Sequence, residues 1–173
     1  FGECRNAWDS DRHPGGSSHG SGLALSTHLC GASVGEDTGG SGRHPASWSG
    51  VTGIRPTYGR VSRHGVMAFA WYLDIAAPMG KTVEDVALVL EAIAGYDAKD
   101  PYTSKRSVPQ YSTSLGKSIK GMRIGVVKEL MTDEVDTEVR ENVWKALDVL
   151  KGLGAHVEEV SVPMLNLGGV LYT

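Results

Sequence analysis

The spacing of apolar residues is most regular between residues 83 and 94, where they recur at intervals of three and four. That period is typical of a helix with one buried face. Thr82, with Asp85 three residues later, is typical of a capping box at a helix start, and Gly95 is a stop signal. We therefore expect a helix here, buried along Val83, Val86, Ala87, Leu90, Ile93 and Ala94.

A strand, a helix and a second strand are predicted farther along the chain. The apolar run from Met122 to Val127 indicates a buried strand, and residues 156–162 indicate another. Residues 136–151 have helical spacing, with Val139, Val143, Ala146, Leu147 and Leu150 predicted to face inward. A strand–helix–strand unit joins parallel strands by a right-handed crossover. The fold class is therefore α/β, and residues 97–118, polar with two prolines, predict a long surface connection.

The first sixty-odd residues are rich in Gly, Ser and His and have few long periodic segments. This composition favours an active-site region of short elements and turns, in which residues 23–29 form a short helix.

A group of large apolar residues follows this region. It has two interpretations, either as part of the hydrophobic core or as the wall of an acyl pocket, and the core is favoured. The group comprises Met67, Phe69, Trp71 and Tyr72.

Composition indicates a globular domain with a sizeable core. The chain has 173 residues, 40% of them hydrophobic, and no apolar run near the roughly 18 needed to span a bilayer. A net charge of −3 argues against a polyanion-binding surface. Cys4 and Cys30 do not have the spacing of a disulfide framework, which fits a reducing cytoplasm. The His and Cys residues also lack the paired spacing of a metal site, so no metal is expected.

Two Gly-Gly-Ser turns carry the candidate chemistry, PGGSSHGS at residues 14–21 and GEDTGGSGR at residues 35–43. An enzyme that cleaves amides needs N–H donors aimed at the developing oxyanion, each worth about 2.7–4 kcal/mol of barrier. Glycines permit backbone conformations that a Cβ forbids. We therefore predict a nucleophile, Ser41, beside an oxyanion hole formed by the N–H groups of Thr38, Gly39, Gly40 and Ser41.

Two other interpretations of these turns are weaker. Gly and Ser are also the residues of flexible linkers, but linkers do not usually precede a motif such as GVTGIRPTYGRVS at residues 50–62. A phosphate-binding or other non-catalytic Gly-rich module is the remote alternative. Neither turn has the GxxxxGK[ST] arrangement that places a lysine on phosphates.

Both turns, together with Pro45-Ala46-Ser47, residues 50–62 and KTVED at residues 81–85, resemble the amidase signature family. The resemblance extends from about Trp8 to about Pro163. It implies part of a mixed β-sheet flanked by helices on both faces, and a Ser–cis-Ser–Lys triad that cleaves amides through an acyl-enzyme without a cofactor.

The resemblance also assigns roles to individual residues. Ser41 is implied as the nucleophile, and Ser17 as the relay serine that follows a cis peptide bond after Gly16. Ser18 is implied as an auxiliary hydroxyl. Asp37 and Arg43 are implied as the scaffold of the second turn.

The base of the triad is the main departure from the family. Family members carry the lysine tens of residues before the relay serine, whereas the first lysine here is Lys81. We therefore expect an internal fragment, inactive alone, that forms one partial amidase domain over 1–173. Its active-site signature region would be 1–80 and its scaffold 81–173.

Two further departures lie within the turns. His19 replaces a glycine, and Glu36 replaces a small hydroxyl residue. His19 is an alternative base, because imidazole titrates near neutrality. A histidine facing solvent or substrate is the favoured interpretation.

The expected function is hydrolysis of a small-molecule amide, with neither nucleic acid nor membrane as a direct partner. The alternative within the family is the A subunit of the glutamyl-tRNA(Gln)/aspartyl-tRNA(Asn) amidotransferase, a glutaminase. That alternative implies heteromeric partners, whereas the first allows a homodimer. The residues that would distinguish them are expected beyond Thr173.

Overall fold

A computed structural model describes residues 2–168. The chain forms two compact units, the first ending at Leu115 and the second beginning at Gly116. Each unit contains helices and a sheet, so the predicted α/β class is confirmed. Within the described residues, no helix is both long and apolar enough to cross a membrane.

The first unit contains a three-stranded antiparallel sheet that the apolar pattern did not predict. Its strands are β1 (Ala32–Asp37), β2 (Thr52–Gly53) and β3 (Ile75–Gly80), in the order β1-β3-β2. Every residue of the central strand β3 is buried. A strand buried on both faces does not alternate between apolar and polar residues, and this one also contains Pro78, which sequence rules place at sheet edges.

Two apolar clusters lie on opposite faces of this sheet. Met79 packs with Leu25 and Ala46, which belong to helices α1 (His19–Ser26) and α2 (Arg43–Trp48). Ala76 packs with Leu90 of helix α3 (Val83–Ile93) and with Val61. Residues 76 and 79 point to opposite sides, because side chains alternate along a strand. Helices therefore flank both faces, as the family resemblance implied.

Helix α1 begins earlier than predicted, at His19 instead of Leu23, directly after the first serine turn. It ends at Ser26 because the chain leaves helical geometry there, and His28 has a φ of 64°. That conformation is uncommon for a residue with a Cβ and is incompatible with a continuing right-handed helix.

Helix α3 confirms the predicted capping box. The Thr82 hydroxyl accepts a hydrogen bond from the Asp85 N–H at 3.1 Å, and the Asp85 carboxylate accepts one from the Thr82 N–H at 2.9 Å. Val86, Ala87 and Leu90 are buried as expected. Val83 is 60% exposed, contrary to the prediction, because the buried face begins only at the second turn.

The second unit contains β4 (Arg123–Val127), α4 (Thr137–Gly152) and β5 (His156–Val160). The two strands pair in parallel, with Arg123 opposite His156, which confirms the predicted strand–helix–strand unit. Asp136 caps α4 by accepting from the Glu138 N–H at 2.9 Å. The handedness of the crossover stays a prediction.

The buried face of α4 is smaller than predicted. Leu147 is buried and Leu150 is half-buried, but Val139, Val143 and Ala146 are exposed. Likewise Val126 is the only fully buried residue of β4. A two-stranded sheet covers only part of a sixteen-residue helix, so much of the apolar stripe has no cover within this unit.

The predicted connection at residues 97–118 has one short 3-10 turn, Tyr111–Ser114, and is otherwise irregular. It is not wholly a surface segment. Asp100 is buried and accepts a hydrogen bond from the Arg63 N–H at 2.9 Å. Thr103 is buried beside it.

Candidate active site

Asp37, the last residue of β1, orders the second serine turn. Its side chain is fully buried and accepts hydrogen bonds from three backbone N–H groups, those of Gly40 at 2.9 Å, Arg43 at 3.1 Å and Gly42 at 3.3 Å. The Arg43 guanidinium donates to it through Nε at 2.9 Å and Nη2 at 3.1 Å. Five donors on one carboxylate fix the backbone on both sides of Ser41.

The charge state of Asp37 follows from these contacts. Burial acts to raise the pKa of this carboxyl, but the hydrogen bonds and charge of Arg43 and the Gly40 N–H outweigh it, so the pKa is lowered. The hydrogen bond to Asp37 in turn raises the pKa of Arg43. Arg55 adds a second ion pair, with Nε 3.4 Å from the carboxylate. Asp37 is therefore a buried, fully ionised group near neutral pH.

The structure refines the predicted oxyanion hole at Gly40. Its N–H donates to the Asp37 carboxylate at 2.9 Å, so this one of the four predicted donors is already hydrogen-bonded within the turn. Within residues 2–168, the N–H groups of Thr38, Gly39 and Ser41 donate no hydrogen bond to another residue. These three amides are the candidate donors to an oxyanion.

Gly40 contributes its conformation to the turn. Its φ is 128°, and a Cβ at this position would lie 2.5 Å from Cε1 of His44. The His44 N–H donates to the Gly40 carbonyl at 2.7 Å, and the imidazole stacks on Trp48 with a centroid separation of 6.0 Å. His44 therefore packs at the turn.

The first serine turn is joined to the second through Ser18. The Gly16–Ser17 peptide bond is cis, as the resemblance implied. The Ser18 N–H donates to the Ser41 carbonyl at 3.1 Å. The Ser18 hydroxyl donates to the Glu36 carbonyl at 3.2 Å and accepts from the Glu36 N–H at 3.0 Å. Its contacts hold the two turns and β1 together.

The two predicted catalytic hydroxyls have no hydrogen-bond partner in the described chain. Ser17 is exposed and Ser41 is half-buried, and neither Oγ makes a hydrogen bond to another of residues 2–168. The backbone thus brings the two turns together, while no hydrogen bond joins the two hydroxyls. Lys81, the first lysine, contacts His28 instead of either serine.

The loop before β3 holds a polar contact that the sequence patterns did not predict. The Thr38 hydroxyl donates to Asp74 at 2.6 Å, and both side chains are buried. The second carboxylate oxygen of Asp74 accepts from the N–H groups of Phe69 and Ala70, each at 2.8 Å. The sequence signal for this contact was the acidic residue Asp74 immediately before the apolar run that begins at Ile75.

The predicted apolar cluster is not buried within the described residues. Met67, Phe69, Trp71 and Tyr72 are all at least 60% exposed, so the favoured interpretation as core is wrong. Backbone bonds to Asp74 hold the loop in place of apolar burial. Whether the group forms the wall of an acyl pocket stays a prediction.

The two departures from the family pattern lie in different places. Glu36 lines a cavity of about 450 Å³ with Ser17 and Ser18, whereas His19 lines a separate cavity with the N-terminal segment. Burial, followed by the negative charge of Asp74, raises the pKa of Glu36. Residues 2–168 contain no cluster of three His, Cys, Asp or Glu side chains able to hold a metal ion.

Known proteins match this chain along almost its whole length. A family model described as Amidase matches residues 1–172. The chain belongs to the amidase family. The A subunit of glutamyl-tRNA(Gln) amidotransferase from Bdellovibrio bacteriovorus is 50% identical over 171 residues, covering 99% of this chain and 35% of that protein. The protein of that description from Halorhodospira halophila is 51% identical over 167 residues, covering 96% and 34%.

Solved structures of amidase-family proteins have the same fold. The A subunit of glutamyl-tRNA(Gln) amidotransferase from Thermotoga maritima matches with a TM-score of 0.94 and 42% identity, over 99% of this chain and 38% of that one. Native peptide amidase from Stenotrophomonas maltophilia matches with a TM-score of 0.87 and 32% identity, over 97% and 35%. The chain spans about a third of the length of the curated relatives it matches.

Proposed function

We propose that the gene product containing this chain cleaves a carbon–nitrogen amide bond through an acyl-enzyme on Ser41. The observation that carries this proposal is the turn around Ser41, which Asp37 and Arg43 hold in an amidase-family chain. A turn fixed in this way presents a nucleophile and backbone donors without reorganisation during the reaction.

The proposed reaction starts with attack of the Ser41 oxygen on the amide carbon. Ser41 gives its proton to Ser17, and Ser17 gives its own to the base, which the resemblance assigns to a lysine before the relay serine. The N–H groups of Thr38, Gly39 and Ser41 stabilise the oxyanion. The relay returns the proton to the departing amine, and an acceptor, water in a hydrolase, then releases the acyl group.

Within the family, we propose the amidotransferase A subunit over a stand-alone hydrolase. The curated relatives at about half identity carry that description, whereas the solved peptide amidase is 32% identical. This choice implies glutamine as the ammonia donor and partner subunits that use the ammonia. A simple amide hydrolase would use the same acyl-enzyme chemistry, with water in place of partner subunits that use the ammonia.

The test measures ammonia released from L-glutamine and from a C-terminal peptide amide by the full-length gene product. We expect glutamine to be hydrolysed, Ser41→Ala to lose at least about a thousandfold in kcat, and Ser17→Ala to lose activity with it. Ser47→Ala, an exposed serine on α2, is the matched control and should keep full activity. Turnover of the peptide amide without turnover of glutamine would contradict the amidotransferase assignment.

A further inference from the structure

Arg55 connects two segments of the site that are distant in sequence. Its Nε lies 3.4 Å from the Asp37 carboxylate, and its Nη2 donates a hydrogen bond to the Leu73 carbonyl at 2.6 Å. Its side chain is 28% exposed, compared with 51% for Arg43, the other arginine paired with Asp37. Arg55 therefore bridges the acid that orders the second serine turn and the loop before β3.

The contact with Asp37 involves the carboxylate oxygen that also holds the backbone beside the nucleophile. This oxygen, Oδ1, accepts hydrogen bonds from the Gly40 N–H at 2.9 Å and from Nη2 of Arg43 at 3.1 Å. Arg55 approaches the same oxygen. Since Gly40 immediately precedes Ser41, Arg55 and the backbone next to the proposed nucleophile share one carboxylate oxygen.

Neutralisation of Asp37 does not account for Arg55. Arg43 already supplies one positive charge and two side-chain hydrogen bonds to this carboxylate. Nε of Arg55 is buried and makes no hydrogen bond within the described residues, and burying a second cation carries a desolvation cost. The well-formed contact of Arg55 is its hydrogen bond to Leu73, so its role includes the loop as well as the turn.

Two consecutive residues of the loop are tied to two consecutive residues of the turn. Leu73 is linked through Arg55 to Asp37. Asp74 accepts a hydrogen bond from the Thr38 hydroxyl at 2.6 Å. Two such links restrict rotation as well as translation, whereas a single link permits a hinge movement. Loss of Arg55 should therefore leave the turn attached to the loop with one contact fewer to fix its orientation.

The backbone that carries Arg55 is anchored independently of these contacts. The Ile54 N–H donates to the Pro78 carbonyl of β3 at 3.2 Å, and Pro56 on the other side is buried. Arg55 thus extends from a fixed point beside the sheet to both of its partners. A side chain held in this way keeps the turn and the loop at a defined separation.

We propose that Arg55 is a positioning residue for the amide cleavage, because it fixes the orientation of the turn that carries Ser41 relative to the loop before β3. The inference rests on the proposed function, in which Ser41 is the nucleophile. Misplacement of a reacting group by about 1 Å can cost about a hundredfold in rate. Loss of Arg55 should therefore lower kcat more than it changes KM, since the geometry of the turn is altered and not the binding of substrate.

Kinetics of the full-length gene product separate positioning from packing. Arg55→Lys keeps a positive charge and a donor, whereas Arg55→Met keeps an unbranched side chain without either. We expect Arg55→Met to lower kcat for L-glutamine at least about tenfold, with KM changed less than about threefold, and Arg55→Lys to recover most of this loss. Arg106→Met, at an exposed arginine of the same unit, is the matched control and should keep full activity. Unchanged kcat in Arg55→Met, or equal losses in Arg55→Met and Arg55→Lys, overturns the positioning role.

Hydrogen exchange, measured by mass spectrometry on the full-length gene product, tests the same inference without turnover. We expect the amides of residues 38–43 and 67–74 to exchange at least about threefold faster in Arg55→Met than in wild type or in Arg106→Met. Unchanged exchange in both segments overturns the inference. Absence of amide hydrolysis in wild type contradicts the proposed function instead, and the exchange comparison still decides whether Arg55 holds the turn to the loop.

Discussion

The backbone N–H of Ser18 donates to the carbonyl oxygen of Ser41 at 3.1 Å. This hydrogen bond joins the two serine turns, because Ser18 follows the proposed relay serine, Ser17, and Ser41 is the proposed nucleophile. The Ser18 hydroxyl is held in turn by the backbone of Glu36 on β1. The geometry of the site therefore depends on close packing between Ser18 and β1.

Substitution of Gly35 by alanine should disturb that packing. A Cβ on Gly35 would lie 2.6 Å from the Ser18 Oγ and 2.7 Å from Cε of Met79, so Ser18 must shift. We expect Gly35→Ala to lower the free energy of unfolding by about 1–3 kcal/mol and to reduce amidase activity. Gly31→Ala is the control, because nothing lies within 4 Å of its Cβ. Equal effects of the two substitutions, measured by urea unfolding and kcat, would contradict this dependence on packing.

Replacement of Asp37 by asparagine should destabilise the first unit. The change removes the charge that holds Arg43 and weakens the hydrogen bonds from the Gly40 and Arg43 N–H groups. We expect a loss of about 3 kcal/mol or more in urea unfolding, since each hydrogen bond to a charged group contributes about 1.5–3 kcal/mol. Asp133→Asn removes an exposed ion pair with Arg140 and should cost less than about 1 kcal/mol. Similar losses of unfolding free energy in Asp37→Asn and Asp133→Asn would show that Asp37 does not order the turn.

The contribution of Asp37 should also depend on pH. Its pKa is lowered in the folded state, so the folded protein holds the carboxylate more strongly than the unfolded chain does. The stabilisation is present above the unfolded pKa of about 3.9 and is lost as the pH falls through the lower folded pKa. The difference in unfolding free energy between wild type and Asp37→Asn should therefore shrink below about pH 4. A difference that stays constant from about pH 7 to about pH 3 would refute the ionised, paired state.

The contact between Thr38 and Asp74 should appear as an energetic coupling. In a double-mutant cycle of Thr38→Val and Asp74→Asn, we expect a coupling of about 1–3 kcal/mol in the free energy of unfolding. The reason is that the two side chains are hydrogen-bonded to each other and buried. Thr57→Val, at an exposed position, combined with Asp74→Asn should be additive within about 0.5 kcal/mol. An additive Thr38/Asp74 cycle would mean that the loop is not held through this contact.

Local sequence patterns predicted the helices and strands whose apolar spacing and capping residues lie within the element itself. The capping box at Thr82, the helix that begins after Asp136 and the parallel strands of the second unit follow from residue spacing alone. The roles of the serine turns required a recognisable motif, because their geometry depends on Asp37, which precedes Ser41, and on Ser18, which is distant in sequence.

The remaining features depend on contacts that periodicity does not carry. The sheet β1-β3-β2 was missed because its central strand is buried on both faces and contains Pro78. The apolar residues at 67–72 predict core, whereas the loop is exposed and Asp74 holds its backbone. The stripe on α4 was expected to be fully buried, but the two strands of its sheet cover only part of it.

The identity of the nucleophile is the central claim, and a serine-directed fluorophosphonate tests it most directly. The full-length gene product is labelled with the probe, digested and analysed by mass spectrometry, with Ser41→Ala and Ser47→Ala treated in parallel. We predict one modified serine, Ser41, with labelling lost in Ser41→Ala and retained in Ser47→Ala. Labelling of another residue, or undiminished labelling of Ser41→Ala, would contradict the assignment.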